Sequence, residues 1–482
     1  MGLRWEGAVL RASVGRGTAP PPRTGCRTRV VAYVGPVVKR RGQVGEILAL
    51  AIPAFLALVA EPLFLLADAA IVGHLGTASL AGLGVASAVL LAAANLFVFL
   101  AYGTTSIVAR QVGAGSVRAA LSAGLDGTWL AVGIGTGVAT AVWLSAEPLA
   151  AVFGASAHAM SQAVIYLRVS ALGLPAMLVA LAATGALRGL QDTRTPLIAS
   201  VVGFSANIVL NLVLVIGLGW GIAGSAWGTV IAQTGMALGL VGVLVRQARR
   251  QRAGLRPAPG RVLQAAATGI PLFIRTVALR AVLLVTTWVA AGMGDVILAA
   301  HQVTATLWSF QAFALDALAI AAQALTGKEL GAGNAAAARS ATTIMLRWGF
   351  WGGLVLGVLL AASSPVLPLV FSPDPAVQQA LSVGLLVVGG FGWLSGLVFV
   401  VDGVLIGAGD GRWLAGAMAA TLGLYLPVVL AVHWATPVVL SWGVGPAMVV
   451  LWGAFIAFMI IRWGFLRHRV RAEAWLVLGA QR

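Results

Sequence analysis

"GALRGLQDTR", residues 185–194, returns 218 positions later as "GVLIGAGDGR", residues 403–412, with two glycines, a leucine, an aspartate and an arginine in the same places. The same shift carries "AIP" at 51–53 onto "GIP" at 269–271, Gly76 onto Gly294, and "GAG" at 113–115 onto "GAG" at 331–333. One such match is weak. Several at a constant offset mark a duplicated chain.

Composition says what was duplicated. Of 482 residues, 60% are hydrophobic and 9% charged, against about 25% charged in a soluble domain. Mean hydropathy is +0.97. Apolar runs of about 20 residues, each enough to cross a ~30 Å hydrocarbon layer as a helix, recur twelve times. They fall at 47–72, 80–102, 119–145, 159–187, 196–217, 222–246, 262–290, 297–324, 340–364, 377–406, 413–436 and 444–466. Each repeat holds six, an even number, so both halves enter the membrane in the same orientation. The predicted fold is an all-α integral membrane protein of twelve transmembrane helices, in two six-helix bundles related by a pseudo-two-fold axis along the membrane normal. A central cavity between them suits alternating access.

The net charge of +17 is distributed with the topology. Six arginines fill "RQARRQRAGLRPAPGR" (246–261), and Arg110, Arg118, Arg188, Arg194, Lys328, Arg339, Arg412, Arg467 and Arg469 fall on the same side if the spans alternate. Opposite loops such as "SAEPLAAVFGASAHAM" and "SSPVLPLVFSPDP" carry no Lys or Arg. The positive-inside asymmetry predicts a multi-pass protein of the cell (plasma) membrane with both termini cytoplasmic. Nucleic acid is not an expected partner, because the basic residues lie in short loops. Membrane lipid is, and the chain is read as a monomer. Residues 1–43, basic and rich in Pro and Gly, are read as a disordered cytoplasmic tail or as a mis-assigned start. The first lobe then covers 44–246, a basic linker 247–261, the second lobe 262–467 and a cytoplasmic C-terminal tail 468–482. The single cysteine, Cys26, permits no internal disulfide.

Polar residues inside the spans carry the functional argument, since ionisable groups at membrane depth are costly. Glu61 and Asp68, seven apart, share a face of the first span, which Pro53 and Pro62 interrupt. A carboxyl held in an apolar bundle can load and release a proton; the plainer alternative is an interfacial aspartate snorkelling to water. Asn207 and Asn211, at i and i+4, share a face of the fifth span, and an amide can donate to a carboxylate or accept from its protonated form. The alternative for the pair is packing between helices. Their positions in the second half are Thr286, Tyr425 and Val429, none able to carry a proton at neutral pH, so coupling belongs to the first half. Gln302, Ser309, Asp316 and Gln323 fall seven apart on the eighth span, a stripe expected to line an aqueous cavity together with Arg275, Arg280, Asn95 and Tyr102. Helical rise places Arg275 near enough to Asp316 to expect a buried ion pair. Asp192 and Asp410 are expected to order the turns after the fourth and tenth spans. No nucleotide-binding, zinc-binding or nucleophile motif occurs, so no enzyme activity, cofactor or metal is expected.

With these residues in view, the chain resembles the multidrug and toxic compound extrusion (MATE) transporters, in particular their DinF branch. "IPAFLALVAEPLFLLADAAIVGHLG", "GALRGLQDTRTPL", "SANIVLNLVLVIGLGWGIAGSAWGT", "AAHQVTATLWSFQAFALDALAIAAQALTGKELGAG" and "DGVLIGAGD" carry the resemblance, which covers roughly 46–467. It implies an antiporter that exports small amphipathic, often cationic compounds in exchange for protons or, alternatively, sodium ions. It also implies that Asp68 is the first-helix acidic residue of cation coupling, with Asn207 and Asn211 in the polar cluster around it. Some relatives place a second aspartate where Asn211 stands, and its absence favours a single proton carrier. The acidic residue of the NorM branch's tenth helix maps to Ser395, which is not acidic. Two rivals remain: a flippase for lipid-linked precursors, kept alive by Arg275 and Arg280, and an intramembrane enzyme or receptor.

Overall fold

Among the described residues, twelve helical segments of membrane length follow one another, counting each helix pair broken at a short turn as one. The structure is a computed structural model that describes residues 42–153 and 156–480, without a few side chains including Glu61. Most of the expected tail, residues 1–41, lies outside the described residues; the first helix begins at Gln43. The first lobe comprises α1 (Gln43–Gly73), α2 (Thr77–Phe97) with α3 (Phe99–Gly113), α4 (Val117–Leu144), the short α5 (Ala146–Ala151), α6 (Ala157–Ala171) with α7 (Leu174–Gly189), α8 (Arg194–Asn211) and α9 (Gly221–Arg250). The second comprises α10 (Pro259–Gly292), α11 (Asp295–Gly331), α12 (Ala335–Ala362), the short α13 (Leu367–Phe371), α14 (Pro375–Gly390) with α15 (Gly392–Gly407), α16 (Gly411–Trp434), the short α17 (Thr436–Ser441) and α18 (Val444–Arg471). Among the described residues there is no strand. In hydrocarbon every backbone N–H needs an internal acceptor, and uninterrupted apolar helices provide it.

The duplication is visible in the backbone. The fourth span of each lobe is bent, by 51° between α6 and α7 and by 52° between α14 and α15. In the first case Pro175, at the start of α7, supplies no N–H to continue the helix. Tight turns at Gly76 and Gly294, and again at Gly115 and Gly333, have positive φ, a conformation that glycine adopts without strain. Both pairs keep the 218-residue offset. Small residues let neighbours approach closely: Gly349, Gly353 and Gly357 on α12 meet the backbone of Gly396, Gly392 and Gly389, the packing that substitutes for a hydrophobic driving force in lipid.

The two lobes are sewn together toward their arginine-rich end. Gly113 on α3 lies against the backbone of Lys328 and Ala332, and Gly331 on α11 against the backbone of Arg110. A side chain at either glycine would collide with main chain, which cannot yield. Further along the same seam, Ala54 of α1 clusters with Ala317 and Ile320 of α11, and the Gln323 amide donates to the Tyr102 carbonyl at 2.6 Å. Toward the opposite end of α11, Gln302 is exposed.

The C-terminal residues differ from a free tail. After α18 the chain folds back across the seam, burying Trp475. The Arg110 guanidinium donates to the carbonyls of Ala408 (2.7 Å), Val477 (3.0 Å) and Gly479 (3.0 Å). Gly479 N–H donates to Leu330 O at 3.0 Å, and Arg339 pairs with Glu473. This strap therefore binds α3 of one lobe and α11 and α12 of the other.

Candidate coupling site in the first lobe

Asp68 lies near the far end of α1 from the seam and is 3% exposed. Its carboxylate accepts from Asn211 Nδ2 at 2.6 Å and Ser225 Oγ at 2.6 Å through Oδ1, and from the Tyr166 hydroxyl at 3.4 Å through Oδ2. The donors come from α8, α9 and α6, so four helices converge on one carboxyl. Asn207 is not a direct partner. It accepts from Asn211 Nδ2 at 3.0 Å and donates to Thr229 Oγ1 at 3.0 Å, holding the amide that holds Asp68. The i, i+4 spacing on α8 makes this relay, and α8 leaves it as a π-helical turn, Leu212–Gly217. Gly228 faces the amide, and any Cβ there would run into Asn211 Oδ1.

All three partners of Asp68 are neutral. Among the described residues no Lys or Arg pairs with it. Hydrogen bonds to a charged group contribute about 1.5–3 kcal/mol each, while desolvating a carboxylate costs several kcal/mol. The two effects are of similar size, so the site can hold either protonation state. Asn211 Oδ1 is buried without a protein donor. It is the acceptor that an amide turned over would present to protonated Asp68.

The sequence reading named Asp68, Asn207 and Asn211, and the structure brings them together. It missed Ser225, Thr229 and Tyr166. Ser225 and Thr229 sit in "GIAGSAWGT", which reads as helix-packing sequence, and Tyr166, in "SQAVIYLRVS", is set apart by no spacing that links it to Asp68. The Glu61 side chain lies outside the described residues. In the second lobe, Thr286 Oγ1 and the Tyr425 hydroxyl are 2.6 Å apart with Val429 buried. The corresponding position is thus built, but without an acid.

The expected Arg275–Asp316 ion pair is not formed. Arg275 pairs with Asp402 of α15, which also pairs with Arg462 of α18 at 3.0 Å. Helical rise compared only α10 with α11 and left out the two helices that carry the actual partners. Asp316 instead accepts from the Tyr102 hydroxyl across the lobes at 3.4 Å. Arg188, expected to flank the membrane, is half-buried and within electrostatic reach of Asp316 and Tyr102. The Nε atoms of Arg188 and Arg280 are buried without acceptors. Ser309 bonds back to Ala305 O, and Asn95 is partly buried. The stripe on α11 therefore runs from exposed Gln302 to buried Gln323, along the seam. Asp192 does order its turn, accepting from the N–H groups of Arg194 and Thr195 and from Thr195 Oγ1. Asp410, at the start of α16, accepts from Arg469.

A duplicated twelve-helix membrane protein with a buried, neutral-ligated carboxyl in its first lobe is the class that fold and site define. The family model for MatE matches twice, at residues 53–213 and 271–432; the two starts are 271 − 53 = 218 residues apart. The chain belongs to the MatE family. It is 34% identical over 392 residues to protein DETOXIFICATION 44, chloroplastic, of Arabidopsis thaliana, covering 78% of this chain and 74% of that protein. It is 30% identical over 401 residues to DNA damage-inducible protein F of Escherichia coli (strain K12), covering 80% and 85%. Among solved structures, an outward-facing multidrug resistance MATE family transporter of the MOP superfamily superposes with a TM-score of 0.77 at 22% identity, over 90% of this chain and 97% of that one. The last likeness is one of fold.

Proposed function

We propose that the protein is a proton-coupled antiporter that exports small amphipathic, often cationic compounds across the plasma membrane. The single observation that carries this is Asp68: a buried acid with three neutral donors and, among the described residues, no counter-cation. The names of relatives, detoxification and multidrug resistance proteins, agree with export. Protonation of Asp68 from outside removes its charge and turns the Asn211 amide. The packing of α1 against α8 and α9 then changes and substrate leaves. Deprotonation toward the cytoplasm resets the lobe. Moving one proton inward yields ~2.3 kcal/mol per 100 mV. Exchange for a monovalent cation cancels that contribution, so export of a monocation runs on the pH difference alone.

The test is transport of a fluorescent organic cation in proteoliposomes under an imposed pH or sodium gradient. A pH gradient alone should drive accumulation, and a sodium gradient alone should not. Sodium-driven accumulation at uniform pH would replace the proton with sodium. A second reading, a flippase for anionic lipid-linked precursors, is favoured by the acceptorless Nε atoms of Arg188 and Arg280. Competition of such a lipid with the organic cation would support it.

A further inference from the structure

Between the lobes at the arginine-rich end, away from Asp68, lies a cavity of about 970 Å³. Its walls come from α3 and α4 of the first lobe and from α10, α15, α16 and α18 of the second, with Ala480 of the strap on its edge. Five arginines and two aspartates line it, a formal charge of 5 − 2 = +3. Both aspartates are taken. Asp126 accepts from Arg261 Nε at 2.6 Å, and Asp410 accepts from Arg469 Nε at 2.7 Å and Nη2 at 3.1 Å. Arg110 is committed to the carbonyls of Ala408, Val477 and Gly479.

Two guanidiniums remain, Arg118 on α4 and Arg412 on α16, one from each lobe. Among the described residues neither has a carboxylate partner, and the lining Ser116, Ser122 and Gln264 side chains donate no hydrogen bond within the protein. Among the described residues the lining offers spare donors, no unpaired carboxylate and a net positive charge, which selects an anion. Guanidinium forks match phosphate oxygens in pairs. The lining includes the last turn of α3 and the first turns of α4 and α16, the ends of spanning helices, and basic pockets between helix ends at headgroup level bind anionic headgroups. Its volume exceeds what an inorganic ion fills.

We propose that this cavity binds the phosphate of an anionic phospholipid headgroup, held between Arg118 and Arg412 and so bridging the two lobes. The proposal does not depend on the transport mechanism. The experiment measures thermal stability of the purified full-length protein in detergent, titrated with phosphatidylglycerol, phosphatidylcholine or inorganic phosphate. Phosphatidylglycerol should stabilise the wild type saturably, and phosphatidylcholine should not. Arg118→Gln with Arg412→Gln should weaken the response roughly 25-fold, about fivefold per arginine. Arg249→Gln with Arg250→Gln, near the end of α9 and outside the cavity lining, should leave it unchanged. The two exposed positions allow folding without lipid; Arg118→Lys with Arg412→Lys, which keeps the charge and loses the fork, should fall between. Saturable stabilisation by inorganic phosphate alone, lost in the same double variant, would keep the phosphate site and reassign its source to the aqueous phase. An equal lipid response in the wild type and Arg118→Gln/Arg412→Gln, or an equal loss in the Arg249/Arg250 control, would overturn the proposal.

Discussion

Asp402 stands between two arginines, and its removal is the most severe charge change the second lobe offers. Arg275, Asp402 and Arg462 are each less than one-tenth exposed at the side chain. The triad carries a formal charge of +1. Asp402→Asn leaves two guanidiniums facing one amide, and breaking a buried pair in this way costs about 3–5 kcal/mol. Arg462→Met leaves a neutral Arg275–Asp402 pair and should cost least, with Arg275→Met between them because Arg275 also lies in the field of Asp316. Replacing all three by apolar residues, Arg275→Met with Asp402→Leu and Arg462→Met, leaves no charge within the triad and should recover most of the loss. The assay is the temperature at which each purified variant loses its monodisperse elution peak. Asp402→Asn eluting like the wild type, or the triple variant falling below Asp402→Asn, would refute the assignment of the ion cluster.

The strap makes a second expectation. Deleting residues 472–482 removes two of the three carbonyls held by Arg110, at about 1.5–3 kcal/mol for each charged hydrogen bond. Labelling of a cysteine at Ala109, packed against Gly327 in the seam, should accelerate at least tenfold in a Cys26→Ser background; an unchanged rate would mean the strap does not hold the seam. Topology gives a third. An impermeant thiol reagent should label a cysteine at Pro375 in intact cells and one at Pro257 only in broken cells, and the reverse pattern would invert the protein in the membrane.

The duplication made the fold legible. Gly76 and Gly294, or Gly115 and Gly333, are in register because only a few residue types tolerate their backbone, and the positions of both bends follow from the same offset. The coupling acid was legible for a similar reason, since a carboxyl in oil stands out. Its donors were not. Ser225 and Thr229 are small residues in a glycine-rich helix, where sequence cannot separate a hydrogen-bond donor from a packing spacer. Partner choice among the arginines was equally hidden. Arg275 reaches Asp402 because α18 packs against both α10 and α15, an arrangement that spacing along single helices does not encode. The strap was read as a tail because its hold rests on main-chain carbonyls, which every residue has.

The claim that Asp68 carries the exchanged proton is tested most directly by measuring substrate affinity and proton release in one purified sample of Asp68→Asn. The amide keeps the size of the acid: with its NH₂ where Oδ1 stood it can donate to a turned Asn211 Oδ1 and to Ser225 Oγ, while its oxygen, where Oδ2 stood, still accepts from Tyr166. The variant is therefore expected to fold and to bind the organic cation within about threefold of the wild-type affinity, a change below 1 kcal/mol. Substrate addition should release protons from the wild type and none from Asp68→Asn. Undiminished proton release from Asp68→Asn would contradict the account and move the coupling site away from this carboxyl.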